Sequence, residues 1–360
     1  MNPHAVPIEK IPRKIPQTNP TPPDESDTTG QVFLQIRMNP TPPDHSDRLQ
    51  PPHNPSVVGS IPTGPTIRLL ICARETSSAF PRSGSSLFVV NVNDEEIILE
   101  GGASTEVTRV GNVVYRSPKP QSKTVLNLLR FLDSVGFSGS PRPIGDGFAP
   151  DGREMLEYID GESPQPFAWS NEATYEIGEL LNKLHTAASQ WTPPADAYWR
   201  PWFIREMIGQ RSVIGHGDLG PWNILAKDGR PVAFIDWDHA GPLDPVWELA
   251  HVAWQNAQLY DEDVAQMNDL PDAAQRALQA RLILDGYGLD YADRVGFVDR
   301  MIHLAVWSAR EEAIEFKVVP DTASPSPDGF PVLWAVTWRT RSAAWMLDRR
   351  PMLQKIIESI

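Results

Sequence analysis

Apolar and polar positions along this chain change their spacing three times, and each change predicts a different kind of structure. Before about residue 96 there is no sustained period. Ile97–Leu99 and Val113–Tyr115 then form short β-rich runs on either side of Gly101, Gly102 and the stretch Val107–Asn112, a pattern of alternation and turn residues that predicts antiparallel strands. Residues 123–135 place Val125, Leu128, Leu129 and Leu132 on one helical face, and Met155–Ile159 reads as a further strand. Beyond Gly161 the helical period dominates. Thr174–Ala188 carries Ile177, Leu180, Leu181 and Leu184, and periodic runs cover about 246–259, 270–286, 291–316 and 331–348. The proline-rich stretch 319–331 reads as an exposed loop. The expected class is α+β: a small β-rich lobe over residues 91–160, then a larger, mainly helical lobe over 161–360.

The aperiodic start is explained by composition. Fifteen of the 36 prolines fall in the first 65 residues, which also repeat Asn-Pro-Thr-Pro-Pro-Asp at Asn19 and again at Asn39. Proline lacks the N–H and fixes φ, so such a segment forms neither helix nor central strand. It also carries too little apolar surface to offset the entropy of ordering. Residues 1–90 are expected to be a disordered extension; a polyproline ligand for a partner domain is the alternative. Within it, Ile67–Ala73 and Leu87–Val92 are two isolated strand candidates.

Charge and cysteine content narrow the function classes. The formal net charge is −14 over 360 residues, which argues against non-specific binding to nucleic-acid phosphates. No run of 18 apolar residues occurs, so no membrane span is expected. Pro3, Pro7, Pro12 and Pro16 break up the N-terminal apolar residues, so no signal peptide is expected either. Cys72 is the single cysteine, which rules out an internal disulfide framework or a multi-cysteine zinc site and suits a reducing cytoplasm.

The candidate chemistry lies in one short β-segment between the helical runs. Asp228-Gly229 is a hairpin turn signal, and the runs Asn223–Ala226 and Val232–Ile235 on either side would pair. Such a hairpin brings Asn223 and Asp236 to its open end, and Asp218 lies in the loop that enters it. One amide oxygen and two carboxylates converging there suit Mg²⁺, which takes oxygen ligands and bridges one or two carboxylates to substrate phosphates. Phosphoryl transfer needs that metal charge and a carboxylate to accept the proton of the attacking hydroxyl. On this reading Asp218 is the base, and Asn223 and Asp236 are the metal ligands.

These motifs resemble the aminoglycoside phosphotransferase and choline kinase families: His216-Gly-Asp218, Asn223 five residues on, Ile235-Asp-Trp-Asp238 after a hairpin, and Ala240–Ala250 beyond it. The resemblance covers roughly residues 97–350. It implies a bilobal protein-kinase-like fold that transfers the ATP γ-phosphate to a small-molecule hydroxyl. It also implies that Arg116 stands where relatives have a phosphate-binding strand lysine. Glu157, Tyr158 and Ile159 would join the lobes and bind adenine through their main chain. Asp244 would start a helix behind the catalytic loop, which agrees with Asp as an N-cap and Pro245 at the first helical position. His216 would hold the loop through a ring hydrogen bond, or else act in catalysis. Asp238 would touch a second metal or bond nearby backbone. The helix at 123–135 holds only Asn127 and Asp133 where relatives offer a glutamate to the strand cation.

The expected acceptor is therefore a hydroxyl of an aminoglycoside-like compound, a sugar or an amino alcohol, with ATP and Mg²⁺ as cofactors and no obligate protein partner. The competing reading is a kinase-like protein that holds nucleotide or ligand without turnover. Trp254, Trp338 and Trp345, among other aromatics of the helical region, could line the acceptor pocket or simply fill the core. Asp261–Asp263 could attract a cationic acceptor or merely open a helix.

Overall fold

A computed structural model describes residues 96–99, 107–207, 209, 211–323 and 331–359. The expected extension 1–90, both isolated strand candidates, Gly101, Gly102 and most of the 319–331 loop lie outside the described residues.

β1 (Ile97–Leu99), β2 (Val107–Val110) and β3 (Val113–Arg116) precede α1 (Ser122–Ser134), and β4 (Pro143–Phe148) and β5 (Glu154–Glu157) follow it. They form an antiparallel sheet of order β1-β2-β3-β5-β4. The helix forms because its expected apolar face, Val125, Leu128, Leu129 and Leu132, is wholly buried. β4 escaped the sequence reading, since Gly145 and Gly147 interrupt any alternation along it.

After the sheet come α2 (Asn171–Ala188), capped by Ser170, and then the strands of the candidate site: β6 (Val213–Gly215), β7 (Ile224–Lys227), β8 (Arg230–Phe234) and β9 (Gly241–Leu243). β6 pairs with β9, and β7 with β8. The rest is helical: α3 (Pro245–Asn256), α4 (Glu262–Met267), α5 (Ala273–Tyr287), α6 (Tyr291–Arg294), α7 (Phe297–Glu315), α8 (Val332–Asp348) and α9 (Arg350–Ile357). The expected helix at 291–316 is two helices, because Gly296 adopts φ 72°, a left-handed turn that no helix continues through. The fold is thus the expected α+β arrangement, with the sheet and α1 first and the helical region after.

One apolar cluster runs from Leu129 and Leu132 of α1 through Ile177, Leu181 and Leu184 of α2 to Leu249, Ile283, Met301 and Leu304 of the later helices. Trp254 and Trp345 are buried in it, which favours core over pocket for much of their surface. The acidic run opens α4: Asp261 and Asp263 pair with Arg341, and Glu262 with Arg276 and Arg349. These carboxylates already have cationic partners.

α2 and α5 lie so close that a Cβ on Gly178 would sit 2.1 Å from the carbonyl oxygen of Ile283. Only glycine fits against backbone there. Gly178→Ala is expected to lower unfolding free energy by about 1–3 kcal/mol, the usual cost of overpacking, as read by urea denaturation.

Candidate active site

The β7–β8 hairpin turns through Asp228 and Gly229, at φ 52° and 74°, a two-residue turn that matches strand twist. Ile224 faces Phe234, and the Ile235 N–H donates to the Asn223 carbonyl at 2.9 Å, extending the ladder to the open end. Asn223 closes a 3₁₀ turn, Pro221–Asn223, and Asp236 takes a left-handed conformation, φ 59°, before a second one, Trp237–His239. The Asn223 amide donates to the Asp218 main-chain carbonyl at 2.7 Å and to its carboxylate at 3.1 Å. The three expected residues are therefore brought together. With the amide nitrogen committed to Asp218, the Asn223 side-chain oxygen is the atom left to face a ligand.

Their electrostatics differ. Burial raises Asp218 to about 7, with Asp236 and Glu312 pushing the same way and Arg339 and Asn223 pushing back. Burial works to raise Asp238 too, but Arg116 and Lys119 outweigh it and hold that carboxyl below its usual range. Partial burial and the adjacent Asp238 charge push Asp236 upward, although 53% of its side chain stays exposed. Asp238 thus meets two cations and not nearby backbone: Arg116 at 3.0 Å, and Lys119. Among the described residues no three His, Cys, Asp or Glu side chains form a self-sufficient metal cage. Two oxygens from Asn223 and Asp236 fit a hard cation bound jointly with phosphates.

The loop carrying Asp218 is held from beneath. The His216 ring is buried, and its Nε2 donates to the Ile235 carbonyl at 2.9 Å, which fixes the tautomer. Asp244 caps α3, accepting from Val246 at 2.9 Å and Trp247 at 3.3 Å. Direct support comes from a residue the sequence reading missed. Glu248, fully buried on α3, accepts the Gly217 N–H at 2.5 Å and meets His185 Nε2 at 2.6 Å. Burial would raise its carboxyl, but these partners hold it below the usual range. A lone acid in the apolar run Val246–Ala253 was the available signal. Asn256, at the end of α3, donates to the Leu219 carbonyl at 2.8 Å.

On the sheet side Arg116 ends β3 directly opposite Glu154 of β5 and forms an ion pair with it, and its Nη1 lies 3.5 Å from Asp236. As expected from Asn127 and Asp133, α1 gives Arg116 no glutamate, and the neighbouring strand supplies the carboxylate instead. Glu157 pairs with Arg142, and its N–H donates to the Arg142 carbonyl at 2.8 Å; the Tyr158 N–H donates to Asn112 at 3.0 Å. Of these three, Ile159 is the one whose main-chain N–H has no hydrogen-bond partner among the described residues. Just beyond, Glu162 and Ala226 exchange hydrogen bonds at 2.9 and 2.8 Å, tying this segment to the hairpin.

The fold and site define a class. A family model described as "Phosphotransferase enzyme family" matches residues 196–290, the span that holds the hairpin and its loop. The trifolitoxin immunity protein of Rhizobium leguminosarum bv. trifolii is 48% identical over 261 residues, 72% of this chain and 98% of the relative. The chain belongs to the phosphotransferase enzyme family. Among solved structures, the microcompartment-associated aminopropanol kinase shares the fold at 15% identity and a TM-score of 0.51, over 73% of this chain and 94% of that one. A choline/ethanolamine kinase family protein from Mesorhizobium loti gives 15% identity and a TM-score of 0.48, over 74% and 94%.

Two outcomes follow. Arg116 is largely buried among three carboxylates, so Arg116→Met leaves the buried Glu154 without its cation and Asp238 with Lys119 alone, and is expected to cost about 3–5 kcal/mol by denaturant unfolding. Burial also pushes His216 and His251 from 6.5 to about 4. Between those values the unfolded chain binds protons that the folded chain refuses, so stability rises with pH there and is lost as pH falls from 6.5 toward 4. Asp218, raised to about 7, pulls the other way over the same range, so the histidine contribution is read as a difference: between pH 7.5 and pH 5 the melting temperature of His251→Gln is expected to fall less, or rise more, than that of the unmodified chain.

Proposed function

We propose that this protein transfers the γ-phosphate of ATP to a hydroxyl of a small molecule and that the product is a detoxified compound. The observation that carries the reading is the hydrogen bonding of Asn223 to Asp218 at the open end of a hairpin whose other strand delivers Asp236. The 48%-identical relative is an immunity protein, which supports a toxin as the acceptor.

On this reading residues 91–160 cover the nucleotide and 161–360 carry the catalytic loop and the acceptor. Asn223 and Asp236 would hold Mg²⁺, which neutralises charge on the phosphates when bound. Asp218, held by Asn223, accepts the acceptor's hydroxyl proton. The acceptor oxygen bonds to the γ-phosphorus as the bond to the β-bridging oxygen breaks, giving ADP and a phosphate monoester. Arg116 and Lys119 supply positive charge beside Asp236 and Asp238. His216, Glu248 and Asp244 keep the loop in place, and Ile159 is the main-chain contact for adenine, with Glu157 and Tyr158 positioning it. The expected setting is the cytoplasm, where ATP is supplied. Among the described residues no helix is long and apolar enough to cross a membrane. Neither nucleic acid nor an obligate protein partner enters the reaction.

A second reading, immunity by ligand binding without turnover, is favoured by one observation: Arg116 is already saturated by Glu154, Asp238 and Asp236. Protection of a trifolitoxin-sensitive strain, together with ADP release by the purified protein, separates the two. Asp218→Ala is expected to cut ADP release about 10²–10⁴-fold and abolish protection, while ATP still raises the melting temperature. Full protection by Asp218→Ala would replace turnover with sequestration.

A further inference from the structure

The acceptor side of Asp218 has a charge and hydrogen-bond balance that says what kind of molecule completes it. This inference rests on the phosphotransfer reading and adds the chemical class of the acceptor. Asp218 feels both Arg339 of α8 and Glu312 of α7. Arg339 meets Glu312 only loosely, at 3.4 Å, and both side chains are largely buried. One helical turn further along α7, Glu315 pairs with Arg200 at 2.6 Å, and these two side chains are one-third to one-half exposed. Arg200 also reaches His239 at 3.4 Å, in the turn that follows Asp236. A single turn of α7 is thus bracketed by two arginines, one deep and one near the surface, and the outer one reaches the turn that follows Asp236.

A third guanidinium lies behind them. Arg205 donates to the carbonyls of Arg200, His239 and Ala240 and has no carboxylate among its partners. With Asp218 counted, the three arginines face three carboxylates, so charge alone favours neither sign of acceptor.

The unsatisfied atoms break the symmetry between a cationic and an anionic acceptor. Arg339 Nε, Arg205 Nε and Trp254 Nε1 are buried without a hydrogen-bond partner, and all three are obligate donors. Neither Glu312 nor Glu315 has a buried oxygen in that condition. Arg339 stacks over Trp338 at 4.6 Å, and Trp338 lies 5.7 Å from Trp254, so two of these donors belong to one aromatic cluster. Buried donors without partners are rare in folded proteins, and an incoming acceptor group relieves them. An ammonium group brings only more donors. A carboxylate brings acceptors and the charge that guanidinium pairs with most strongly.

We propose that the acceptor is a hydroxyl compound that also carries a carboxylate, selected by Arg339 and Arg200. The carboxylate takes the guanidinium donors now shared with Glu312 and Glu315, while the hydroxyl lies at Asp218. The aromatic surface of Trp338 packs against the rest of the molecule.

D-Glucuronate, D-glucose and D-glucosamine share a ring and its hydroxyls and differ in charge, so they form the test series. With MgATP, ADP release by the full chain is expected to rank glucuronate first, with kcat/KM about tenfold above glucose, and glucosamine last. Arg339→Gln and, independently, the more exposed Arg200→Gln should abolish that preference by raising KM for glucuronate, and Arg339→Lys should restore part of it. The same ranking is read without turnover from the shift in melting temperature each sugar produces in the absence of nucleotide. That shift separates the two claims: absent ADP release with glucuronate still binding best removes phosphotransfer and keeps the anionic pocket. Preference for glucosamine, equal binding of all three, no binding of any, or variants that leave the preference intact overturns the proposal.

Discussion

The Asn223 amide binds Asp218 twice, once at its main-chain carbonyl and once at its carboxylate, and the relation between the proposed base and the proposed metal ligands depends on that pair of bonds. They fix where the proposed base stands, and they orient the asparagine so that its oxygen is the free atom. A side chain with one donor could not hold both sites. Asparagine also lies where the 3₁₀ turn meets β7, so strand pairing sets its position. The same ladder that places Asn223 delivers Asp236 across from it through the bond from Ile235.

Two buried polar networks hold this arrangement rigid. Beneath the loop, Glu248 joins His185 to the Gly217 N–H, and His216 spans from the loop to the strand before Asp236. Above it, Arg116 links the sheet, through Glu154, to Asp236 and Asp238. Breaking one member of such a network leaves a charge buried without a partner, which costs far more than the intact pair contributes. The sheet and the helical region are thus coupled through charge as well as through the apolar core.

The sequence showed the hairpin clearly because its signals are local. Asp228-Gly229 requires positive φ at both positions, and the runs beside it have few other ways to fold. Asp244 with Pro245 was legible for the same reason, as a cap and first-turn pair. Glu248 and Glu154 were not, since each acts through partners 31 and 38 residues away in sequence. Spacing along one strand or helix cannot reveal such a contact. The pairing of Arg116 with Glu154 depends on strand register, which is settled only when β5 packs beside β3. The short strands β6 and β9 hold three residues each, too few to show a period.

On the proposed function, Asn223 and Asp236 share one divalent cation next to Asp218. Anomalous scattering from Mn²⁺, in crystals grown with a non-hydrolysable ATP analogue, locates that cation directly. A peak is expected within coordination distance of the Asn223 side-chain oxygen and the Asp236 carboxylate, touching the analogue's phosphates. A cation bound to the phosphates alone, or held elsewhere on the chain, contradicts it.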